Sequence, residues 1–259
     1  LSTNINCNGG NNGTITTTAT GGTGIITFTL QPGGTTNTTG SFSNLIAQNY
    51  TVIATDNIGC SNSTIVTITQ PTQLIWTSTN QTNISCNGGN NGSIATTATG
   101  GTGIITYTLQ PGSTSNTTGN FSNLIAQTYT VTATDVNGCS ISTNLIITQP
   151  TQLIWSGTNQ TNVSCNGGNN GTLSTIATGG TGIINYTLQP GSTSNTTGSF
   201  SNLVSQNYTV IATDANGCSI STSINITQPS LLNITSITNT IPLCVLGNDA
   251  SLRSEERRV

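Results

Sequence analysis

The sequence predicts an all-β fold. Two stretches, from Tyr129 to Asp135 and from Ile105 to Leu109, alternate apolar and polar side chains, as half-buried strands do. Thr and Ile dominate both stretches, and β-branched side chains favour a pleated strand over a helix. Turn residues such as Gly-Gly-Asn-Asn-Gly at 88–92 and Gln-Pro-Gly at 110–112 separate the strands. About seven short strands of this kind in a unit of 79 residues predict a small immunoglobulin-like β-sandwich.

The sandwiches are predicted to occur in tandem, because the sequence repeats itself every 79 residues. The segments 72–150 and 151–229 are identical at 62 of 79 positions. Self-similarity at a fixed period is the signature of a repeat architecture. Cysteines and aspartates follow the same step: Cys7, Cys86, Cys165 and Cys244; Cys60, Cys139 and Cys218; Asp56, Asp135 and Asp214.

Each unit closes on Ile-Thr-Gln-Pro, and proline suits a boundary because it cannot donate a ladder hydrogen bond. We therefore predict a first repeat at 1–71, which lacks the opening Gln-Leu-Ile-Trp segment, and complete repeats at 72–150 and 151–229. Residues 230–252 begin a truncated fourth repeat. The charged stretch 253–259 breaks the pattern and is interpreted as a non-native tail. The short linkers favour stiffly coupled neighbours.

The composition argues against most kinds of enzyme. Half of the 259 residues are Asn, Thr, Ser or Gln, only nine are charged, and there is no His. Acid-base, nucleophilic and metal-assisted catalysis draw mainly on His, Lys and clustered carboxylates. The three Arg residues all lie in the final seven positions, so nucleic acid is not an expected partner. We predict a non-catalytic protein without a cofactor, a bound metal or a membrane-inserted segment.

The cysteines of each complete unit lie 53 residues apart and predict one disulfide within each repeat. Such a bond would contribute about 4 kcal/mol by the chain-entropy estimate, and it would imply an oxidising, extracellular compartment. The alternative is a pair of reduced, buried thiols. The predicted disulfide residues are Cys7, Cys60, Cys86, Cys139, Cys165 and Cys218, which leaves Cys244 unpaired in this fragment.

Several aromatic positions also recur with the period. Tyr50, Tyr129 and Tyr208 are placed like the tyrosine corner of immunoglobulin-like sandwiches, or else serve as ordinary core aromatics. Trp76 and Trp155 stand near the predicted boundaries, and we expect them to pack between domains.

Asn-X-Ser/Thr triplets are frequent and suggest covalent glycans on a surface that is otherwise almost uncharged. Chance composition is the alternative. The candidate sites recur in register: Asn37, Asn116 and Asn195, with Asn12, Asn91 and Asn170 as a second set.

Four motifs in order resemble the SprB repeat of bacterial gliding and cell-surface adhesins. They are Ser-Cys-Asn-Gly-Gly-Asn-Asn-Gly at 85–92, Gly-Gly-Thr at 100–102, the stretch 129–139 from Tyr129 to Cys139, and Ile-Thr-Gln-Pro at 147–150. The resemblance implies a secreted protein of many tandem β-sandwiches that contacts surfaces or polysaccharide. Where such repeats often have Asp, this chain has Asn12, Asn91 and Asn170, with Asp only at Asp249. Each unit offers one carboxylate, too few for calcium, so we interpret Asp135 as a turn former.

Three functions stay open at this level. The first is a structural adhesin, a rod-like shaft or surface filament with a glycan coat, which associates with itself head to tail or laterally. The second is a carbohydrate-binding adhesin module, which needs exposed aromatic side chains for stacking on sugars. The third is an ice-contacting surface built from threonine arrays such as Thr16 to Thr18. We favour the first, with surface polysaccharide or other cell-surface and fibre components as partners.

Overall fold

The computed structural model describes residues 1–238, and their regular structure consists of 21 β-strands. The strands form three sets of seven that follow the 79-residue period, so the predicted all-β class is confirmed. The truncated fourth repeat beyond residue 238, with Cys244, Asp249 and the charged tail, lies outside the described residues.

The bounds of the strands recur from one repeat to the next. The first repeat has β1 Ser2–Thr3, β2 Gly13–Thr16, β3 Thr27–Gln31, β4 Thr35–Asn37, β5 Ser41–Leu45, β6 Gln48–Thr55 and β7 Ser61–Ile68. The second has β8 Ile75–Thr82, β9 Gly92–Thr99, β10 Thr106–Gln110, β11 Thr114–Asn116, β12 Asn120–Leu124, β13 Gln127–Thr134 and β14 Ser140–Ile147. The third has β15 Ile154–Thr161, β16 Gly171–Thr178, β17 Asn185–Gln189, β18 Thr193–Asn195, β19 Ser199–Leu203, β20 Gln206–Thr213 and β21 Ser219–Ile226.

Each repeat is a sandwich of a three-stranded and a four-stranded antiparallel sheet. In the second repeat the strand orders are β8-β9-β12 and β11-β10-β13-β14, and the other two repeats have the same arrangement. The third and fourth strands of a repeat pair with each other, and the fifth crosses back to the first sheet. This crossing of connections between two antiparallel sheets is typical of immunoglobulin-like folds.

The core of each sandwich follows from the period-2 pattern of its strands. Along β9 the side chains of Ile94, Thr96 and Ala98 are buried while their neighbours face outward. Residues from both sheets meet in one buried cluster per repeat, which in the second repeat includes Phe121 and Val131. A fully buried side chain of this size contributes roughly 2 kcal/mol to the free energy of folding.

Side-chain hydrogen bonds stabilise two of the loops of the sandwich. The hydroxyl of Tyr129 donates to the carbonyl of Ile125 at 3.4 Å, as in a tyrosine corner. The side chain of Asn116 accepts the backbone N–H of Thr118 and Gly119, at 2.9 and 2.7 Å. Gly119 has φ +71°, and a Cβ there would lie 2.1 Å from the carbonyl oxygen of Thr96, so the turn requires glycine.

The chain divides into two compact units. The first extends from Leu1 to Gln152 and contains the first two repeats, and the second begins at Leu153 and contains the third repeat.

Candidate functional site

The exit loop of a repeat is the Cys-Asn-Gly-Gly segment that follows its first strand. In the first repeat, the side chain of Asn8 donates to the carbonyl of Pro71 at 2.9 Å, and the N–H of Gly9 donates to the side chain of Gln70 at 2.7 Å. The same pair of bonds recurs in the second and third repeats. The exit loop, and with it Cys7, therefore lies where the chain leaves the repeat.

The entry hairpin is the tight turn that joins the last two strands of a repeat and carries the second cysteine. In the second repeat the carboxylate of Asp135 is 5% exposed and accepts the N–H of Thr102, Asn137 and Cys139 at 2.8, 2.9 and 2.9 Å. These bonds show Asp135 acting as the predicted turn former. Because the N–H of Gly101 donates to the carbonyl of Thr72, this hairpin lies where the chain enters the repeat.

The two cysteines of one repeat therefore lie at opposite ends of its sandwich. Cys60 directly precedes β7, whereas the exit loop that carries Cys7 contacts Gln70 and Pro71 beyond the end of β7. Eight strand residues rise about 26 Å. A disulfide needs Cα atoms about 4.4–6.8 Å apart, so the two cysteines of a repeat cannot bond to each other.

The observed disulfide instead joins two repeats. Cys7, in the exit loop of the first repeat, is bonded to Cys139, in the entry hairpin of the second, with Cα atoms 5.6 Å apart. The side-chain amide of Asn137 adds a hydrogen bond to the carbonyl of Asn6 at 3.1 Å. A cleft of about 300 Å³ beside the bond is lined by the linker residues Pro71 to Leu74.

This arrangement corrects the predicted pairing of Cys7 with Cys60 and of Cys86 with Cys139. Cys60 and Cys165, both predicted to be bonded, are exposed free thiols. Cys86 and Cys218 are disulfide-bonded. The alternative of reduced, buried thiols is also wrong, since the two free thiols are exposed.

The structure places Trp76 and Trp155 against the cores of their own repeats, and their predicted interdomain role stays a prediction. Trp76 packs against the buried cluster of its own repeat, with its ring centroid 6.2 Å from that of Tyr107. Trp155 does the same with Tyr186 at 6.3 Å. Both rings lie on the first strand of a sandwich, where they cover its core.

The candidate glycosylation residues serve the backbone of their own loops. Asn37, Asn116 and Asn195 each donate to a carbonyl four residues later and accept N–H groups of the same turn. The side chains of Asn12, Asn91 and Asn170 accept the backbone N–H six residues earlier, beside the exit loop. Turn formation is a structural reason for both sets to recur in register, and glycosylation at these residues stays a prediction.

Among residues 1–238 no cluster of His, Cys, Asp and Glu has the grouping that a metal ion needs. Within the same residues no helix is long and apolar enough to cross a membrane.

Sequence reasoning missed the residues that place the cysteines. The contacts of Asn8 and Gln70, and the amide of Asn137, join parts of the chain that are 61 to 131 residues apart. A signal was present in the strict recurrence of Gln-Pro with Cys-Asn-Gly-Gly, which indicated a shared role for the two motifs.

Comparison with known families confirms the resemblance predicted from the sequence. Three segments match the model of the SprB repeat: residues 2–35, 78–114 and 157–193. Each match covers about the first half of a 79-residue repeat and includes its exit loop. No curated protein matches the chain.

Similar solved structures include arrays of extracellular domains. The N-terminal eight Ig domains of Down Syndrome Cell Adhesion Molecule match at 13% identity over 79% of this chain and 33% of that chain, with a TM-score of 0.41. Domains 3–5 of Drosophila OTK match at 12% identity over 79% and 86%, with a TM-score of 0.30. Domains 1–6 of the surface layer protein SbsC match at 11% identity over 83% and 36%, with a TM-score of 0.28. The chain thus spans about a third of the first and the last of these structures.

Proposed function

We propose that the chain is an extracellular, non-catalytic adhesive protein whose sandwiches follow one another as a rod-like shaft or surface filament. The three SprB repeat matches support an adhesin of this class. The disulfide-bonded cysteines support an oxidising compartment outside the cytoplasm. The near absence of His, Lys and clustered carboxylates from the sequence supports a non-catalytic role.

The observation that carries the proposal is the covalent junction between the first two repeats. Only the short segment around Pro71 and Thr72 connects the two sandwiches along the chain, and Cys7–Cys139 adds a second covalent connection. Two connections between the same pair of bodies remove most of the rotational freedom that a single flexible linker leaves. A stiff shaft transmits force from a cell surface to an attachment point without folding back on itself.

The stiffness can be tested by electron microscopy and NMR relaxation of the whole chain. We expect unreduced protein to appear as particles of uniform length, roughly 100 Å for three sandwiches with strands of about 3.3 Å rise per residue. Reduction and alkylation should broaden the distribution of lengths. The Cys60→Ser variant is the matched control, because it removes a thiol that is already free. Independent tumbling of the first two repeats in unreduced protein would contradict the proposal.

Adhesion itself can be tested with beads that carry the chain. We expect coated beads to be retained under flow on agarose, a neutral polysaccharide, and on glass, because hydroxyl and amide groups dominate the surface. Beads coated with a soluble protein of similar pI are the control. Equal retention of both kinds of bead on both surfaces would contradict an adhesive role.

A carbohydrate-binding module is the second candidate, and a cleft in the third repeat favours it. The cleft has a volume of about 350 Å³ and lies on the three-stranded sheet. Uncharged amide and hydroxyl groups suit recognition of a neutral sugar. The polar groups that line it include Asn159, Gln160, Ser174 and Ser199.

This candidate predicts saturable binding of neutral oligosaccharides, which calorimetry can measure. Asn159→Ala should weaken the binding at least threefold, whereas Asn216→Ala, on the entry hairpin, should leave it unchanged. Equal effects of the two variants would show that the cleft is not the site.

We also propose that Asn37, Asn116 and Asn195 carry covalent glycans in the native protein, with Asn12, Asn91 and Asn170 as further sites. A glycan on the amide nitrogen leaves one N–H, which is enough for the single donated bond of Asn37. The intact mass of protein from its native source should exceed the polypeptide mass. A mass equal to that of the bare chain would overturn this part of the proposal.

A further inference from the structure

We infer that the disulfide Cys7–Cys139 is a redox-sensitive restraint on a hinge at Thr72, and that a low-molecular-weight thiol opens it in the folded protein through the adjoining cleft. The inference rests on the proposed shaft and names a way in which its stiffness is regulated. The disulfide, the hinge and the cleft all lie within the compact unit that contains the first two repeats.

The hinge follows from the hydrogen bonds that hold the linker on each side. On the side of the first repeat, Asn8 donates to the carbonyl of Pro71 at 2.9 Å. On the side of the second repeat, the N–H of Gly101 donates to the carbonyl of Thr72 at 2.9 Å. The peptide bond between Pro71 and Thr72 is planar, so the soft torsions between the two anchored carbonyls are φ and ψ of Thr72. Thr72 is also exposed, so its side chain does not hinder rotation.

Rotation at Thr72 is restrained by the disulfide and by a hydrogen bond beside it. The disulfide holds the Cα atoms of Cys7 and Cys139 5.6 Å apart across the junction. The side chain of Asn137 donates to the carbonyl of Asn6 at 3.1 Å, in an exposed position where water competes for both groups. Opening the disulfide therefore turns a doubly connected junction into a hinge of one residue, of the kind that absorbs changes of φ and ψ in domain motions.

The cleft beside the disulfide gives a small thiol access to the sulfur atoms. Cys7 and Cys139 are half-buried, and both line the cleft of about 300 Å³. This volume is at the lower end of the range of about 300–1,000 Å³ found for small-molecule sites. None of the residues that line the cleft is charged, so an incoming thiolate meets no carboxylate on its walls.

The carbonyl of Asn6 makes the two sulfur atoms unequal. Its oxygen lies 3.3 Å from Sγ of Cys139. A negative charge on sulfur is unfavourable beside a carbonyl oxygen, so Cys139 is the poorer leaving group and Cys7 is the sulfur that departs. After reduction, the neutral thiol of Cys139 can donate to the same carbonyl.

The opening step is thiol–disulfide exchange with two molecules of a low-molecular-weight thiol, such as glutathione. The thiolate of the first molecule attacks Sγ of Cys139, forms a mixed disulfide and releases Cys7 as a thiolate. The thiolate of the second molecule attacks the glutathione sulfur of the mixed disulfide and releases Cys139. The protein disulfide is reduced to two thiols, the two glutathione molecules are oxidised to one disulfide, and their two protons pass to Cys7 and Cys139.

The first experiment measures the reduction of the folded, full chain at a series of glutathione concentrations. Samples are quenched by alkylation, and mass spectrometry follows the peptides that contain Cys7 and Cys139. We expect the rate to rise in proportion to the glutathione concentration, because the thiol attacks the native protein. A rate that levels off would show that unfolding precedes attack, and it would overturn the proposal, as would a bond that survives every concentration.

The same samples identify the attacked sulfur. Chains quenched after the first step should carry glutathione on Cys139 and the alkyl group on Cys7, in at least threefold excess over the reverse arrangement. An equal or reversed ratio would overturn the assignment of Cys139 as the attacked residue.

A pair of variants tests the route through the cleft. Ser140 lines the cleft, whereas Ser142 is exposed on the same strand and does not line it. Ser140→Phe should slow the reduction of Cys7–Cys139 at least fivefold, because the ring occupies the cleft. The matched control, Ser142→Phe, should stay within twofold of the parent chain. Equal rates in the two variants would show that the thiol does not enter through the cleft.

The hinge is tested without a reductant, in the full chain with Cys7→Ser and Cys139→Ser. In this background Thr72→Pro fixes φ and Thr72→Gly frees it. NMR relaxation should give rotational correlation times for the first two repeats that fall in the order Thr72→Pro, parent, Thr72→Gly. Equal correlation times in the two variants would overturn a hinge at Thr72. These outcomes concern the opened junction, whereas independent tumbling of the unreduced chain would instead overturn the proposed shaft.

Discussion

The first and second repeats fold alike but differ at the entry end. In the second repeat β8 pairs with β9 from Ser93 to Thr99, and Leu74 and Trp76 cover the core. In the first repeat β1 has only two residues, β2 is half as long as β9, and the given sequence starts at the position equivalent to Asn80. The exposure of the aspartate in the entry hairpin differs accordingly: Asp135 is 5% exposed, whereas Asp56 is not buried.

This difference separates two roles at the entry end of a repeat: formation of the hairpin and exclusion of water from the core. The Asp turn and its cysteine form in both repeats with the same hydrogen bonds. Hairpin geometry therefore does not depend on the Leu-Ile-Trp segment. The segment instead excludes water from the entry end.

The largest expected effect comes from removing the bond between the two repeats. Replacing Cys7 and Cys139 together by Ser should lower the free energy of unfolding by about 5 kcal/mol, because a loop closed across 132 residues no longer restricts the unfolded chain. Guanidinium denaturation followed by far-UV circular dichroism measures the loss. Cys60→Ser is the control and should change stability by less than about 0.5 kcal/mol. A double variant as stable as the control would show that the bond adds no stability.

The next effect tests the covering strand. Trp76→Ala should destabilise the second repeat by about 3 kcal/mol, since it removes a large aromatic side chain from the core edge. Hydrogen exchange read by mass spectrometry should show faster exchange in β9 and β10 but not in β2 and β3, which lack such a cover. Equal acceleration in both repeats would contradict a local role for Trp76.

A smaller effect concerns the hydroxyl of Tyr107, which accepts the N–H of Ala98 at 2.9 Å in a buried position. Tyr107→Phe should cost about 1–2 kcal/mol, because the N–H loses its partner away from water. The first repeat already has Phe28 there, against the half-buried Ala19. Phe28→Tyr should therefore leave stability nearly unchanged. If both substitutions lower the midpoint of thermal unfolding by the same amount, burial at the entry end is not the cause of the effect of Tyr107→Phe.

The smallest effect is a pH dependence of the first repeat. The N–H of Thr23 and, more weakly, those of Cys60, Ile58 and Gly59 hold the pKa of Asp56 below its ordinary value of 3.8, against the opposing effect of desolvation. The lowered pKa stabilises the fold fully above about pH 3.8, and this contribution is lost as the pH falls through the lowered value.

Asp56→Asn should make hydrogen exchange in β6 and β7 less dependent on pH between 2 and 5, after correction for the intrinsic exchange rate. Asp249→Asn, far from the hairpin in sequence, is the control. An unaltered pH dependence in Asp56→Asn would contradict the role of this carboxylate.

Local chemistry made much of the fold predictable. Alternation along Tyr129 to Asp135 predicted β13, and the turn role of Asp135 followed from its Asn-Gly neighbours. The corner contact of Tyr129 followed from its place in the strand order. Each of these features is decided by residues fewer than ten positions apart.

The pairing of the cysteines could not be predicted in this way. A spacing of 53 residues within a repeat and one of 132 across two repeats both fit a period of 79, because 132 is the sum of 53 and 79. The contacts of Asn8 with Pro71 and of Gly9 with Gln70 show which end of the sandwich holds Cys7. The contact of Trp76 with the core of its own repeat was missed for a related reason, since nearness to a boundary in sequence did not reveal which core the ring would cover.

The bond between Cys7 and Cys139 has a mechanical consequence. Tension applied at the chain ends is carried by the disulfide and not by the residues between Cys7 and Cys139. If the sandwiches were torn open, about 130 residues at ~3.5 Å each, close to 450 Å of slack, would stay locked inside a closed ring. A tether built in this way resists stretching until its disulfide is reduced, and then it lengthens abruptly.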